Sequence, residues 1–189
     1  MPAKHFFIIL IRRNVMKGAK KLKNRTQCLA LAGILTALAV VGSFFSFPFL
    51  GSKCAPVQHM VNVFAGVFLG PLYAIGIAFA ASLIRNLTGL GSLLAFPGSM
   101  FGALLCGLFF AKTKKLLPAI IGEILGTGIL GGLAAYPIAL LFMGKKAGEI
   151  AFYIYVVPFL ISTAVGAILA GIVVLAFMQN IDFRQWTKK

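Results

Sequence analysis

The sequence predicts an all-α membrane protein with six transmembrane helices and both termini cytoplasmic. Three observations carry that prediction. The chain is 60% hydrophobic, with a mean hydropathy of +1.00 and only three acidic residues, far from the balance of a soluble domain. Its apolar residues form six runs, and at about 20 residues per span a chain of 189 residues has no room for a separate soluble domain. The formal charge of +15 is parcelled between those runs, so it reads as a topology signal and not as a nucleic-acid footprint. Most Lys and Arg fall in the N-terminal segment, after span four and in the tail; only Lys53, Arg85, Lys145 and Lys146 lie on the opposite side. With six spans, that bias places both termini in the cytoplasm.

Residues 1–25 form a basic segment around Phe6–Ile11, an apolar run too short to span. The basic block Lys17–Arg25 occupies the place of a signal cleavage site, and Met16 opens MKGAKKLKNRTQ, a more natural membrane-protein start. Residues 1–15 therefore read as an over-called start or a loose surface-binding extension. The six-helix unit is expected over 26–178, and 179–189 is a basic cytoplasmic tail.

Span one, Cys28 to Phe47, carries Gly33 and Ala37 one turn apart, a flat stripe that lets another helix approach closely or serves ordinary packing inside the bundle. Pro48 ends it, and Phe49–Pro56 reads as a loop. Span two, Val57 to Leu69, places Gln58 and Asn62 on one face with His59 beside them. Gly70-Pro71 forces a tight turn into span three, Leu72 to Leu87, with Arg85 and Asn86 near its far end. Thr88–Phe96, with Gly89 and Gly91, reads as a loop or half-buried lid. Pro97 is expected as the first residue of span four, leaving the N–H groups of Gly98 and Ser99 unpaired at a positive helix end. Span four closes at Phe110; span five, Pro118 to Met143, holds Glu123, Thr127, Tyr136 and Pro137; span six covers Phe152 to Met178.

The usual catalytic signatures are missing. There is no GxxxxGK[ST], HExxH, GxSxG or paired intramembrane carboxylate, and His5 and His59 are far apart, so neither an enzyme nor a bound metal or cofactor is expected. Cys28, Cys54 and Cys106 have no paired spacing and imply no disulfide framework.

A polar group inside an apolar span must find a partner or face a cavity. That rule selects Gln58, His59, Asn62, Arg85, Asn86, Ser99, Glu123 and Thr127 as candidate binding residues. Helix-to-helix hydrogen bonding is the alternative for the Gln58, His59 and Asn62 trio, and a packing lock for Glu123. At 1.5 Å per residue Glu123 lies roughly 8 Å from the cytoplasmic end of its span and Arg85 about 20 Å up its own, so direct pairing is not assumed. Arg85 can instead snorkel to the outer interface. Phe96, beside Pro97-Gly98-Ser99, is a candidate to cover a planar ring, with Tyr136 near the outer end; Tyr153 and Tyr155 read as an interfacial belt.

The run NVFAGVFLGPLYAIGIAFAASLIRNLTGLGSLLAFPGSMFGALL, with Gly122-Glu123-Ile124-Leu125-Gly126-Thr127-Gly128 and the small-residue stripe of span one, resembles the ThiW family among the substrate-binding S components of energy-coupling-factor vitamin transporters. The resemblance covers Met16 to Phe177. It implies an S-component bundle, capture of a thiamine precursor, believed to be hydroxyethylthiazole, and docking through Gly33 and Ala37 onto a transmembrane scaffold subunit with two cytoplasmic ATPases. A neutral ring of that kind makes Arg85 and Glu123 architectural, with some room left for a charged vitamin. Hydroxymethylpyrimidine, thiamine, a membrane-embedded enzyme and a self-sufficient transporter are the competing readings; a channel is disfavoured because no polar face repeats along a span.

Overall fold

The computed structural model describes residues 25–50 and 52–180, with side chains up to Ala176. The basic N-terminal segment through residue 24, and the tail from 181 onward, lie outside them. Six helices follow in the expected order: α1 (Arg25–Val41), α2 (Pro56–Phe68), α3 (Pro71–Leu87), α4 (Ala95–Thr113), α5 (Leu116–Phe142) and α6 (Val156–Asn180). By length and composition four of these segments can cross a membrane: α1 with its 3-10 extension to Phe45, α4, α5 and α6. The chain is a mostly helical, multi-pass membrane protein. At 17 and 13 residues, α3 and α2 are shorter than the roughly 20 that a straight span needs.

Packing is inverted relative to a soluble protein. The buried interior is rich in small residues, with Ala65, Ala74, Ala78, Ala103, Ala119 and Ala135 wholly covered, while Leu72, Phe44 and Leu141 are 73–83% exposed. Lipid tails are as apolar as leucine, so helices gain by close backbone contact between small residues while large side chains face outward. Helix α4 packs against α2, α3 and α5, and α2 also against α6. Gly102 on α4 is one such contact: a Cβ there would overlap the Thr127 hydroxyl and sit 2.7 Å from Glu123 Oε2. Gly102→Ala is expected to destabilise by about 1–3 kcal/mol, whereas Gly33→Ala, whose Cβ meets nothing within 4 Å among the described residues, is not expected to destabilise. Melting of both variants in detergent checks this; equal midpoints would mean that the α4–α5 contact tolerates a methyl.

Several boundaries differ from the sequence expectation. In place of a plain loop over Phe49–Pro56, β1 (Phe47–Phe49) and β2 (Ser52–Cys54) pair antiparallel, Pro48 opposite Lys53. Strands of three residues are too short to leave a readable alternation. Helix α4 starts at Ala95, so Pro97 is its third residue, as Pro118 is in α5. A proline in the first turn costs no helical hydrogen bond, because that N–H has no helical partner anyway. The Gly98 N–H is not free: it donates to Leu94 O at 3.4 Å. Span six begins at Val156, after a turn over 152–155. Helix α5 contains a π-helical stretch, Leu125–Gly131.

Gly70 has φ +86°, a conformation open to glycine but strained for side chains, and Pro71 follows at the first position of α3. That pair turns α2 back on α3. At the other end of α3, Asn86 Nδ2 donates to Ser82 O and Ser92 O, and Lys53 Nζ from the hairpin donates to Gly89 O and Leu90 O. Hairpin and α3–α4 loop are thereby joined over one end of the bundle.

Candidate functional site

The site is built around one carboxylate. Glu123 is completely buried, and its Oε1 accepts three hydrogen bonds: from His59 Nδ1 at 3.0 Å, Asn62 Nδ2 at 3.0 Å and Thr127 Oγ1 at 3.1 Å. A carboxylate only accepts, so the His59 proton sits on Nδ1 and Nε2 is left for other work. Oε2 has no hydrogen-bond partner. Asn62 Nδ2 also donates to Ser99 O at 3.1 Å, joining α2 to α4, and the Ser99 and Ser82 hydroxyls lie 3.0 Å apart.

Arg85 does not reach Glu123. Its Nη1 donates to Gln58 Oε1 at 3.2 Å, Gln58 Nε2 donates to Asn62 Oδ1 at 3.2 Å, and Asn62 Nδ2 donates to Glu123. Two amides therefore relay between cation and anion, each oriented with its oxygen toward the donor and its nitrogen toward the acceptor, an arrangement whose members polarise one another. Helix length explains how His59 and Glu123 meet. His59 is nine residues from the Phe68 end of α2 and Glu123 seven into α5, about 13 and 11 Å along their axes, so the two lie nearly level. Because α2 is short, its polar end sits deeper in the bundle than a full-length span would put it. Arg85 is buried at 2% exposure, which removes the snorkelling alternative.

A small cavity, partly open to the outside, lies over this cluster. Ser52 and Lys53 of the hairpin, Gln58 and His59 of α2, Arg85 of α3, Gly98 and Ser99 of α4, Thr127 of α5 and Phe159 and Ser162 of α6 line it. The structure thus brings together Gln58, His59, Asn62, Arg85, Ser99, Glu123 and Thr127, with Asn62 and Glu123 just behind the wall. Three expected residues lie apart. Asn86 is engaged with backbone carbonyls, Phe96 packs on Phe79 with ring centroids 5.6 Å apart, and Tyr136 is half-buried away from the lining. Phe96 misses the cavity because the earlier start of α4 makes it a helical residue on the face toward α3.

Sequence reasoning passed over Lys53, Phe159 and Ser162. Ser162 and Thr163 are the only serine and threonine in span six, a usable signal; Phe159 is one phenylalanine among 18 and carried none. Ser162 Oγ accepts the Ala55 N–H at 2.8 Å and anchors the hairpin. Nearby Cys54 is buried, which pushes its thiol above the ordinary range despite the Ser162 hydroxyl, and its Sγ donates to Pro158 O. It stays a neutral thiol at physiological pH. Tyr155 is buried at 3% exposure and packs near Phe159, so it does not belong to an interfacial belt; Tyr153 is exposed. Gly33 and Ala37 are both exposed, so no helix among the described residues covers the stripe. Gly33 instead lines an open groove with Leu29, Thr36, Tyr73 and Gly76. Among the described residues no group of three or more His, Cys, Asp or Glu could hold a metal ion.

No curated protein and no solved structure matches the chain. The family of thiamine-precursor transporter proteins (ThiW) matches it over residues 29–180, a range that includes α2 to α6, α1 from residue 29 and every residue of the polar cluster. A buried polar network walled by apolar helices and fronted by a cavity is what a membrane carrier of a small polar molecule requires, and the chain belongs to the ThiW family of transporter proteins.

Proposed function

We propose that the chain is the substrate-binding S component of an energy-coupling-factor transporter in a prokaryotic cell membrane, importing hydroxyethylthiazole as a thiamine precursor. In this reading all six helices cross the bilayer, both termini are cytoplasmic, and the cavity beneath the hairpin and the α3–α4 loop faces outward, on the side of the fewer basic residues. The sequence has no P-loop, so pumping is driven by two partner ATPases through a transmembrane scaffold that docks on Gly33 and Ala37.

The observation that carries the reading is the cavity itself, with His59, Gln58, Ser99 and Thr127 offering oriented donors and acceptors and Phe159 an aromatic wall. A small planar heterocycle with one hydroxyl needs a few such bonds and ring cover. The test is calorimetric titration of the detergent-purified chain with hydroxyethylthiazole, hydroxymethylpyrimidine, thiamine and riboflavin. Saturable binding of the thiazole alone is expected, weakened about tenfold in Asn62→Ala, which loses a buried hydrogen bond to a charged acceptor. Selective binding of another member of the panel would keep the carrier and replace the substrate; binding of none would remove the reading.

A further inference from the structure

We infer that Arg85 forms an anion subsite in the cavity, so that the ligand held best carries a negatively charged group, a carboxylate or a phosphate monoester, beside its ring. The inference rests on the thiamine-precursor reading for the ring and on the charge inventory of the cavity for the anion.

Arg85 is nearly fully buried and lines the cavity, yet its hydrogen-bond partner is a neutral amide oxygen, and its Nε has no hydrogen-bond partner among the described residues. A buried guanidinium with no counter-charge is expensive, and an ion with matching geometry is its natural complement. Among the described residues nothing on the protein side supplies one. Of the two acidic residues among the described residues, Glu149 is exposed on the loop before α6. Glu123 spends Oε1 on His59, Asn62 and Thr127 and reaches Arg85 only through two amides. The end of α3 does not compensate either, because the carbonyls of Ile84 and Arg85 already accept from Thr88 and Gly91.

The mouth of the cavity has the same sign: Lys53 stands there on β2, held by the Gly89 and Leu90 carbonyls. Among the described residues no carboxylate lines the cavity. Bidentate pairing of a carboxylate or phosphate with a guanidinium is geometrically specific, and the low dielectric of the bundle strengthens it. His59 and Phe159 remain for the ring.

The test titrates the full chain in detergent with matched pairs. These are hydroxyethylthiazole against its phosphate monoester and against the acetate-bearing thiazole, and hydroxymethylpyrimidine against its phosphate. In the wild type one anionic member is expected to bind about tenfold or more tighter than its neutral partner, from a charged hydrogen bond. Arg85→Gln is expected to erase that preference, read as the ratio of the two affinities within the variant, while thermal unfolding in detergent reports that the variant is folded. Lys53→Gln, at an exposed position, reduces the preference in part and covers the case in which Arg85→Gln does not fold. The phosphate and acetate arms identify the anion. Anion preference in the pyrimidine pair alone keeps the subsite and overturns the thiazole. Neutral ligands binding as tightly as both anions, or a preference that survives Arg85→Gln, overturns the subsite and leaves the thiazole reading standing. Binding of no member overturns both.

Discussion

Glu123→Ala is expected to destabilise the bundle by about 3–5 kcal/mol, the usual result of removing one partner from a buried charged cluster. The substitution strands the His59 Nδ1 proton and the Thr127 hydroxyl and leaves Asn62 Nδ2 with Ser99 O alone. Each orphaned donor carries a desolvation penalty, and water cannot easily replace the carboxylate in a wall built against Gly102. Glu123→Gln keeps the volume and one acceptor oxygen, so a smaller loss of about 1–2 kcal/mol is expected. Thermal unfolding followed by circular dichroism in detergent gives the comparison. If the alanine variant melts with the wild type, the three hydrogen bonds on Oε1 contribute nothing net and the cluster is not an organising element.

Gly33→Leu or Ala37→Leu is expected to abolish uptake by whole cells while solubilised ligand binding stays within about twofold, since steric blockage of a small-residue contact is close to all-or-none. Both positions are exposed, and a Cβ at Gly33 meets no atom of the described residues within 4 Å. A leucine there leaves the bundle undisturbed but holds any partner helix away. Radiolabelled uptake in a host supplying scaffold and ATPases, beside calorimetry on the purified variants, separates the two effects. Loss of binding together with uptake would assign the stripe to the chain's own folding, and uptake retained in both variants would remove this surface from the docking proposal.

Much of this molecule was legible before any coordinates. Composition and six apolar runs were sufficient for a helical membrane protein, because lipid leaves backbone groups no alternative to internal hydrogen bonding. The same rule selected seven of the residues that now prove to be linked or to line one cavity, since a polar side chain is too costly in an apolar span to be incidental. Its failures were of another kind. Asn86 and Phe96 lie one and three residues from the true cluster in sequence but turn toward a loop and toward Phe79.

What composition and periodicity determined is therefore which residues must be satisfied; which partner satisfies each was decided only by the packed bundle. Partner identity depends on each helix's rotation and axial offset, and both are set by non-local features: the 13-residue length of α2, the start of α4 at Ala95 and the π-helical stretch after Glu123. Those features set His59 against Glu123, insert two amides between Arg85 and the carboxylate, and bring Phe159 to the cavity. Local patterns encode faces, but depth and register between helices arise from close contact of glycine and alanine surfaces on different helices.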